Sequence, residues 1–228
     1  MTYRHDPDPT HHRGAQTMST PKSEDALNAW IAAIAAPTVA PAGGAAAAIA
    51  GALSAGLVQM VAALTGARER YARVHEEAAG VAERAAGLRE EMLELASRDA
   101  EAFGGFARAL ELPAGTADER RARERAKAEA LRAGAEVQLE VLRQVLEAAE
   151  LAEAMSQRGL ASALGDAATA AFLSSAAARS AYWAVRSNLQ ASTDRPAKER
   201  ALTTARDLLE RVEEVERRVR QLLAQRVP

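Results

Sequence analysis

Residues 26–67 read ALNAWIAAIAAPTVAPAGGAAAAIAGALSAGLVQMVAALTGA, and no position between Asp25 and Arg68 carries an ionisable side chain. Nothing in this stretch gains from contact with water, so it belongs inside a protein core or a bilayer. Residues 45–65 have the length of a membrane span, but their bulk is alanine and glycine, Ser54 and Gln59 interrupt them, and interfacial aromatics are missing. The composition predicts instead a central helix of an all-α protein, in which Gly51, Ala55 and Gly56 let neighbouring helices approach closely. A Pro-rich turn and the pair Gly43-Gly44 stand at the head of this helix.

A second quiet window follows at residues 159–178, where Asp166 is the single charge. A solitary acid in apolar surroundings costs free energy unless it has a partner or a function. Between the two windows, apolar residues recur at Val74, Ala78, Val81, Ala85, Leu88, Met92 and Leu95, in alternating steps of four and three. That spacing predicts a long amphipathic helix from residue 68 to about 110. The same steps lead on to Asp99, Ala102 and Phe106, so a carboxylate stands where the seam reserves an apolar side chain. Asp99 either pairs with an arginine at the seam's edge or serves a pocket as its acid.

Thr116 and Glu119, in capping-box spacing after Pro113 and Gly115, open a helix that runs to about residue 158, and Gly159 stops it. Residues 160–165 read as a short loop, with Asp166 placed to cap the next helix, which continues to Asn188. Capping alone would account for a lone Asp there, as would a ligand. A last helix, from about residue 196 to 226, is charged on most faces and carries leucines at Leu208, Leu209, Leu222 and Leu223. The pattern predicts an all-α bundle of about five long helices in one domain, residues 24–228, behind a disordered polar leader, residues 1–23. The leader has no apolar run after its basic residues, which predicts a cytoplasmic protein.

Formal net charge is -2 and the pI is about 6.2. Arginines alternate with glutamates rather than clustering, so the chain offers no footprint for nucleic acid or an anionic membrane. There is no cysteine, and His75 is the one histidine beyond the leader. Disulfides, thiol nucleophiles, a zinc or other metal site and Ser-His-Asp chemistry are thereby set aside. What remains is the juxtaposition of helix heads and acids. Free N–H groups and the positive dipole end at the head of a buried helix suit a carboxylate, a phosphate or a polarised carbonyl, and a nearby acid suits amide or guanidine-like nitrogens. Two helices this apolar also predict a second subunit covering part of their surface, hence a homodimer.

Pro37, then Ala40-Pro41-Ala42-Gly43-Gly44 and the small residues 48–53, resembles the Pro-Ala-Pro-Gly-Gly-Gly-Ser opening of the cyclodeaminase/cyclohydrolase family. That family includes the C-terminal domain of formiminotransferase-cyclodeaminase and bacterial methenyltetrahydrofolate cyclohydrolases. Leu64-Thr65 with Arg68, Arg70 and Tyr71, then Asp99-Ala100-Glu101-Ala102-Phe103, Asp166-Ala167, and Val185-Arg186 with Asn188 and Leu189 are similar to its later motifs, in order. The resemblance covers about residues 24–220. It implies an all-α homodimer acting on a reduced folate and needing no cofactor beyond that substrate. It implies either closure of 5-formiminotetrahydrofolate with loss of ammonia or hydrolysis of 5,10-methenyltetrahydrofolate. Both pass through a tetrahedral carbon and both need proton transfer at nitrogen. By the same resemblance Asp99 and Asp166 are the acid/base or pterin-orienting pair, Gly43 and Gly44 allow close backbone approach, and Arg186 and Asn188 contact substrate, with Arg68 and Arg70 toward the folate tail.

The chain also departs from the family pattern. Ala42 replaces the third glycine, Ala45 the serine, Ala67 a loop glycine, Glu69 a lysine and Ala184 the first asparagine of the late motif. Ala42 is expected to place a Cβ where the backbone calls for glycine, while Ala45 and Ala184 delete a hydroxyl and an amide. These losses define a second reading, a non-catalytic helical dimer that keeps the fold and binds another small ligand or a protein partner.

Overall fold

The structure, a computed structural model, describes residues 26–38 and 40–226. The expected leader, residues 1–23, lies outside the described residues. Six α-helices follow one another: α1 (Ala26–Ala35), α2 (Gly43–Gly66), α3 (His75–Glu111), α4 (Ala117–Arg158), α5 (Leu164–Asn188) and α6 (Arg195–Arg226). Two 3-10 turns, Glu69–Val74 and Ala161–Ala163, precede α3 and α5. Five of the six helices are long, as the periodicity predicts, and no strand occurs among the described residues.

The charge-free helix α2 lies at the centre and packs against α3, α4 and α5. One side of it, Ala48, Ala52, Ala55, Val58 and Ala62, is buried in a single apolar cluster with residues of the other long helices. Small side chains permit this crowding. A Cβ on Gly51 would sit 2.4 Å from Met92 Sδ and 2.9 Å from Val145 Cγ2, so glycine is what lets α2, α3 and α4 meet there. Gly56 differs from expectation, because a Cβ there meets nothing within 4 Å. The two buried polar residues of α2 are satisfied, with Ser54 Oγ donating to the Ala170 carbonyl at 2.8 Å and Thr65 Oγ1 to the Val61 carbonyl at 2.8 Å.

The seam of α3 is buried at Ala78, Val81, Ala85, Leu88, Met92, Leu95 and Asp99, so the carboxylate does occupy a core position. The helix begins at His75 rather than near residue 68, since the 3-10 turn occupies the intervening residues. At the start of α4 Thr116 Oγ1 accepts from Glu119 N at 3.2 Å while Glu119 Oε2 accepts from Thr116 N at 2.7 Å, the expected capping box. Asp166 does not cap α5. The helix starts earlier, with Ala163 as its N-cap, and Asp166 stands in the first turn, where it meets the dipole without closing a cap hydrogen bond. The last helix, α6, lays Ala205, Leu208, Val212, Val215 and Val219 against α4 and α5. Its arginines reach across, Arg218 forking onto Glu153 at 2.6 and 2.7 Å and Arg211 meeting Glu150 at 3.0 Å. Exposed pairs of this kind fix orientation and each adds at most about 1 kcal/mol.

Candidate active site

The head of α2 forms one wall of a cavity of about 520 Å³, in the range that small-molecule sites occupy. Gly43, Gly44 and Ala47 line it from α2, Asp99 and Phe103 from α3, and Ser180, Trp183 and Asn188 from the last turns of α5. Ala42 immediately precedes α2, extended at φ -135° and ψ -157°, and no side chain caps the helix. Extended backbone of this kind suits any residue, so the Cβ of Ala42 introduces no strain, contrary to the expectation for that position. The uncapped N–H groups of the first turn remain for a ligand or for the neighbouring acid.

That acid is Asp99, 9% exposed. Gln138 on α4 donates from Nε2 to its Oδ1 at 2.7 Å, and the backbone N–H of Ala45 also bonds to the carboxylate. Burial is the dominant influence and pushes the Asp99 carboxyl above the ordinary carboxylate range, with these two hydrogen bonds pulling partly back. Among the described residues no arginine pairs with Asp99, and of those lining this cavity it alone is ionisable. Gly44 makes the arrangement possible. A Cβ there would lie 2.3 and 2.5 Å from the Asp99 oxygens and 2.5 Å from Gln138 Nε2, whereas one on Gly43 would meet nothing within 4 Å.

Asn188 stands at the end of α5, with Gly134 of α4 against its amide; a Cβ on Gly134 would come within 2.8 Å of Asn188 Nδ2. Trp183 is 61% exposed at the cavity's rim, edge-on to Tyr182, and the Arg186 guanidinium lies 4.8 Å from its ring centre. Phe103 and Trp183 give the cavity aromatic walls suited to a flat heterocycle. Ala184 lines it too, so the missing amide of that position is missing from the site itself.

The structure thus gathers Gly43, Gly44, Asp99 and Asn188, and it separates the other predicted residues from them within one chain. Asp166 is exposed in the first turn of α5, roughly 20 Å along the helix from Ser180 at 1.5 Å per residue. It does not share the cavity of Asp99, which corrects the expected convergence of the two acids. Arg68 and Arg70 lie beyond the C-terminal end of α2, again at the far end of the bundle. Arg70 is held over the Tyr71 ring at 5.1 Å, and Tyr71 Oη accepts from Ala161 N at 3.0 Å, tying that end of α2 to the start of α5. Arg186 is exposed and faces outward over Trp183 instead of lining the cavity. Gln138, Phe103, Trp183 and Gly134 were not among the predicted residues. A signal for Gln138 existed: it stands in the seam of α4, with Gly134, Val141, Val145, Ala148 and Ala152, as Asp99 stands in that of α3.

An all-α bundle with a buried acid at the uncapped head of a charge-free helix defines the class. Residues 26–207 match the family model described as formiminotransferase-cyclodeaminase. A methenyltetrahydrofolate cyclohydrolase from Methylorubrum extorquens is 31% identical over 185 residues, 81% of this chain and 89% of that protein. A formimidoyltransferase-cyclodeaminase from Rattus norvegicus is 29% identical over 184 residues, 81% of this chain but 34% of that longer protein. The crystal structure of a formiminotetrahydrofolate cyclodeaminase from Thermotoga maritima shares the fold with a TM-score of 0.80, covering 90% of this chain and 99% of that one at 24% identity. The chain belongs to the formiminotransferase-cyclodeaminase family.

Proposed function

We propose that the protein is a folate-dependent one-carbon enzyme, a methenyltetrahydrofolate cyclohydrolase, a formiminotetrahydrofolate cyclodeaminase or both, working in the cytoplasm with no cofactor beyond its substrate. The observation that carries this reading is Asp99, a buried acid facing an otherwise uncharged cavity with aromatic walls. In hydrolysis of 5,10-methenyltetrahydrofolate, Asp99 as carboxylate balances the cationic bridging carbon and takes a proton from the attacking water. It returns that proton to N5 as the carbon–N5 bond breaks, and the hydroxyl on the former bridging carbon releases its own proton to solvent, leaving the 10-formyl product. In the cyclodeaminase reaction N10 attacks the formimino carbon, and the formimino nitrogen leaves as ammonia after taking the N10 proton and a second one from Asp99 as acid, which gives the 5,10-methenyl product and the Asp99 carboxylate. The first-turn N–H groups of α2 suit the pterin carbonyl. Ala184 in the cavity favours the alternative, a non-catalytic dimer of the same fold.

We infer a homodimer, and one face of the molecule supports it. Leu53, Met60 and Leu64 on α2 and Phe172 on α5 are exposed and apolar, and they continue the helix faces on which the cavity opens. Residues 46, 50, 53, 57, 60 and 64 run along α2 in helical steps, so the stripe begins at the cavity and ends near Arg68. A two-fold axis through the middle of this stripe would bring the far end of one protomer onto the cavity of the other. The partner subunit's Asp166 and the partner subunit's Arg68 would then complete the site, which reconciles the family motif with two ends so far apart.

Incubating the purified protein with 5,10-methenyltetrahydrofolate and following loss of its absorbance tests the assignment, with 5-formiminotetrahydrofolate as companion substrate. Loss faster than the spontaneous rate on either substrate is the expected result. Rates equal to the spontaneous ones on both would leave the non-catalytic reading.

A further inference from the structure

Gln138 has no exposed surface, and its Nε2 donates to Asp99 Oδ1. Its Oε1 is also buried and has no hydrogen-bond partner. An orphaned amide oxygen in a core is a penalty that a methionine of similar length would avoid, so packing alone does not account for a glutamine here. Gly44 adds a second observation, since its lack of a Cβ leaves room for both the carboxylate and the amide.

We infer that Gln138 is a positioning residue for Asp99, whose amide donates to the carboxylate and, after a half-turn about its last torsion, accepts from the carboxylic acid. In the first state Nε2 holds Oδ1 and leaves the other oxygen to the reacting atom. In the second the orphaned Oε1 receives the Asp99 O–H, so the amide serves both protonation states. The inference rests on Asp99 being the group that carries the proton. The donor bond is the stronger of the two because its acceptor is charged, so Gln138 on balance favours the carboxylate.

Among the described residues no other charge competes with it. α2 has no ionisable residue, and on α3 the neighbours Arg98 and Glu101 are exposed. On α4, Glu136 and Glu140 are paired with Arg132 and Arg143, and on α5 Arg186 lies over Trp183.

The test is a carboxyl carbon NMR titration of Asp99 in the wild-type protein, Gln138→Met and Gln138→Glu, read beside kcat and KM against pH. Loss of the amide donor in Gln138→Met should move the Asp99 titration to higher pH. At neutral pH kcat should fall several-fold and recover at higher pH, with KM little changed. Gln138→Glu keeps the shape, adds a like charge and should move the titration further; it supplies the same readout if the methionine variant does not fold. An Asp99 titration unchanged in both variants, or a loss of kcat equal at every pH, overturns the inference. A moved titration in a protein that turns over neither folate supports the role of Gln138 while removing the proposed function.

Discussion

Burial gives Asp99 its character. Its carboxyl titrates above the ordinary range because the cavity wall disfavours the charge more than Gln138 and Ala45 favour it. The unfolded chain therefore loses this proton at lower pH than the folded one does. Stability is fully present below the unfolded value and declines as pH rises through the folded one. At neutral pH the charge weakens the fold, and Asp99→Asn, which removes it and offers Gln138 Oε1 a donor, is expected to stabilise. The expected rise in Tm is roughly 2–4 °C, the shift that about 1 kcal/mol produces in a domain of this size. A calorimetric Tm lowered by the substitution would contradict the burial argument. Asp99 was legible in the sequence because a seam reserves its position for apolar residues. Gln138 stands in an equivalent seam, but an uncharged amide interrupts a pattern far less visibly than a carboxylate. Asp166 misled for a different reason: the sequence places it at the head of α5, as the structure does, but does not say that this head lies at the opposite end of the bundle from the head of α2.

Helix contacts turn on small residues. Gly51 and Gly56 look alike in the sequence of α2, yet the structure gives them opposite surroundings. Gly51→Ala would press a methyl group onto Val145 and Met92 and is expected to cost about 1–3 kcal/mol despite alanine's better helix propensity. Gly56→Ala meets open space and is expected to gain up to about 1 kcal/mol from that propensity. Denaturant midpoints of the two variants should therefore move in opposite directions, and equal movement would show that α2 does not pack as described. Helix existence and seams were readable along the chain because period and capping are local. Which glycine marks a crossing was not, since that depends on residues about forty and ninety positions away in sequence.

At the scale of the whole molecule, the apolar stripe on α2 and α5 is the surface that a single chain leaves unexplained. If it is the dimer interface, Leu53→Glu places a charge at its centre and should yield monomers in light scattering, with turnover lost although Asp99 is untouched. A dimer persisting in this variant would move the interface elsewhere. The sequence made the need for cover readable through its uncharged length. The two-ended distribution of Asp99 and Asp166 emerged only from the folded bundle, because helices of this length carry nearby motif positions to opposite ends.

The central claim is that Asp99 moves the proton, and the most direct measurement is kcat for 5,10-methenyltetrahydrofolate hydrolysis across pH in the wild-type protein and in folded Asp99→Asn. The account predicts a wild-type rate that rises with pH through a single acid limb above the usual carboxylate range, and in the variant no rate beyond the spontaneous one. Turnover in Asp99→Asn equal to wild type would contradict it.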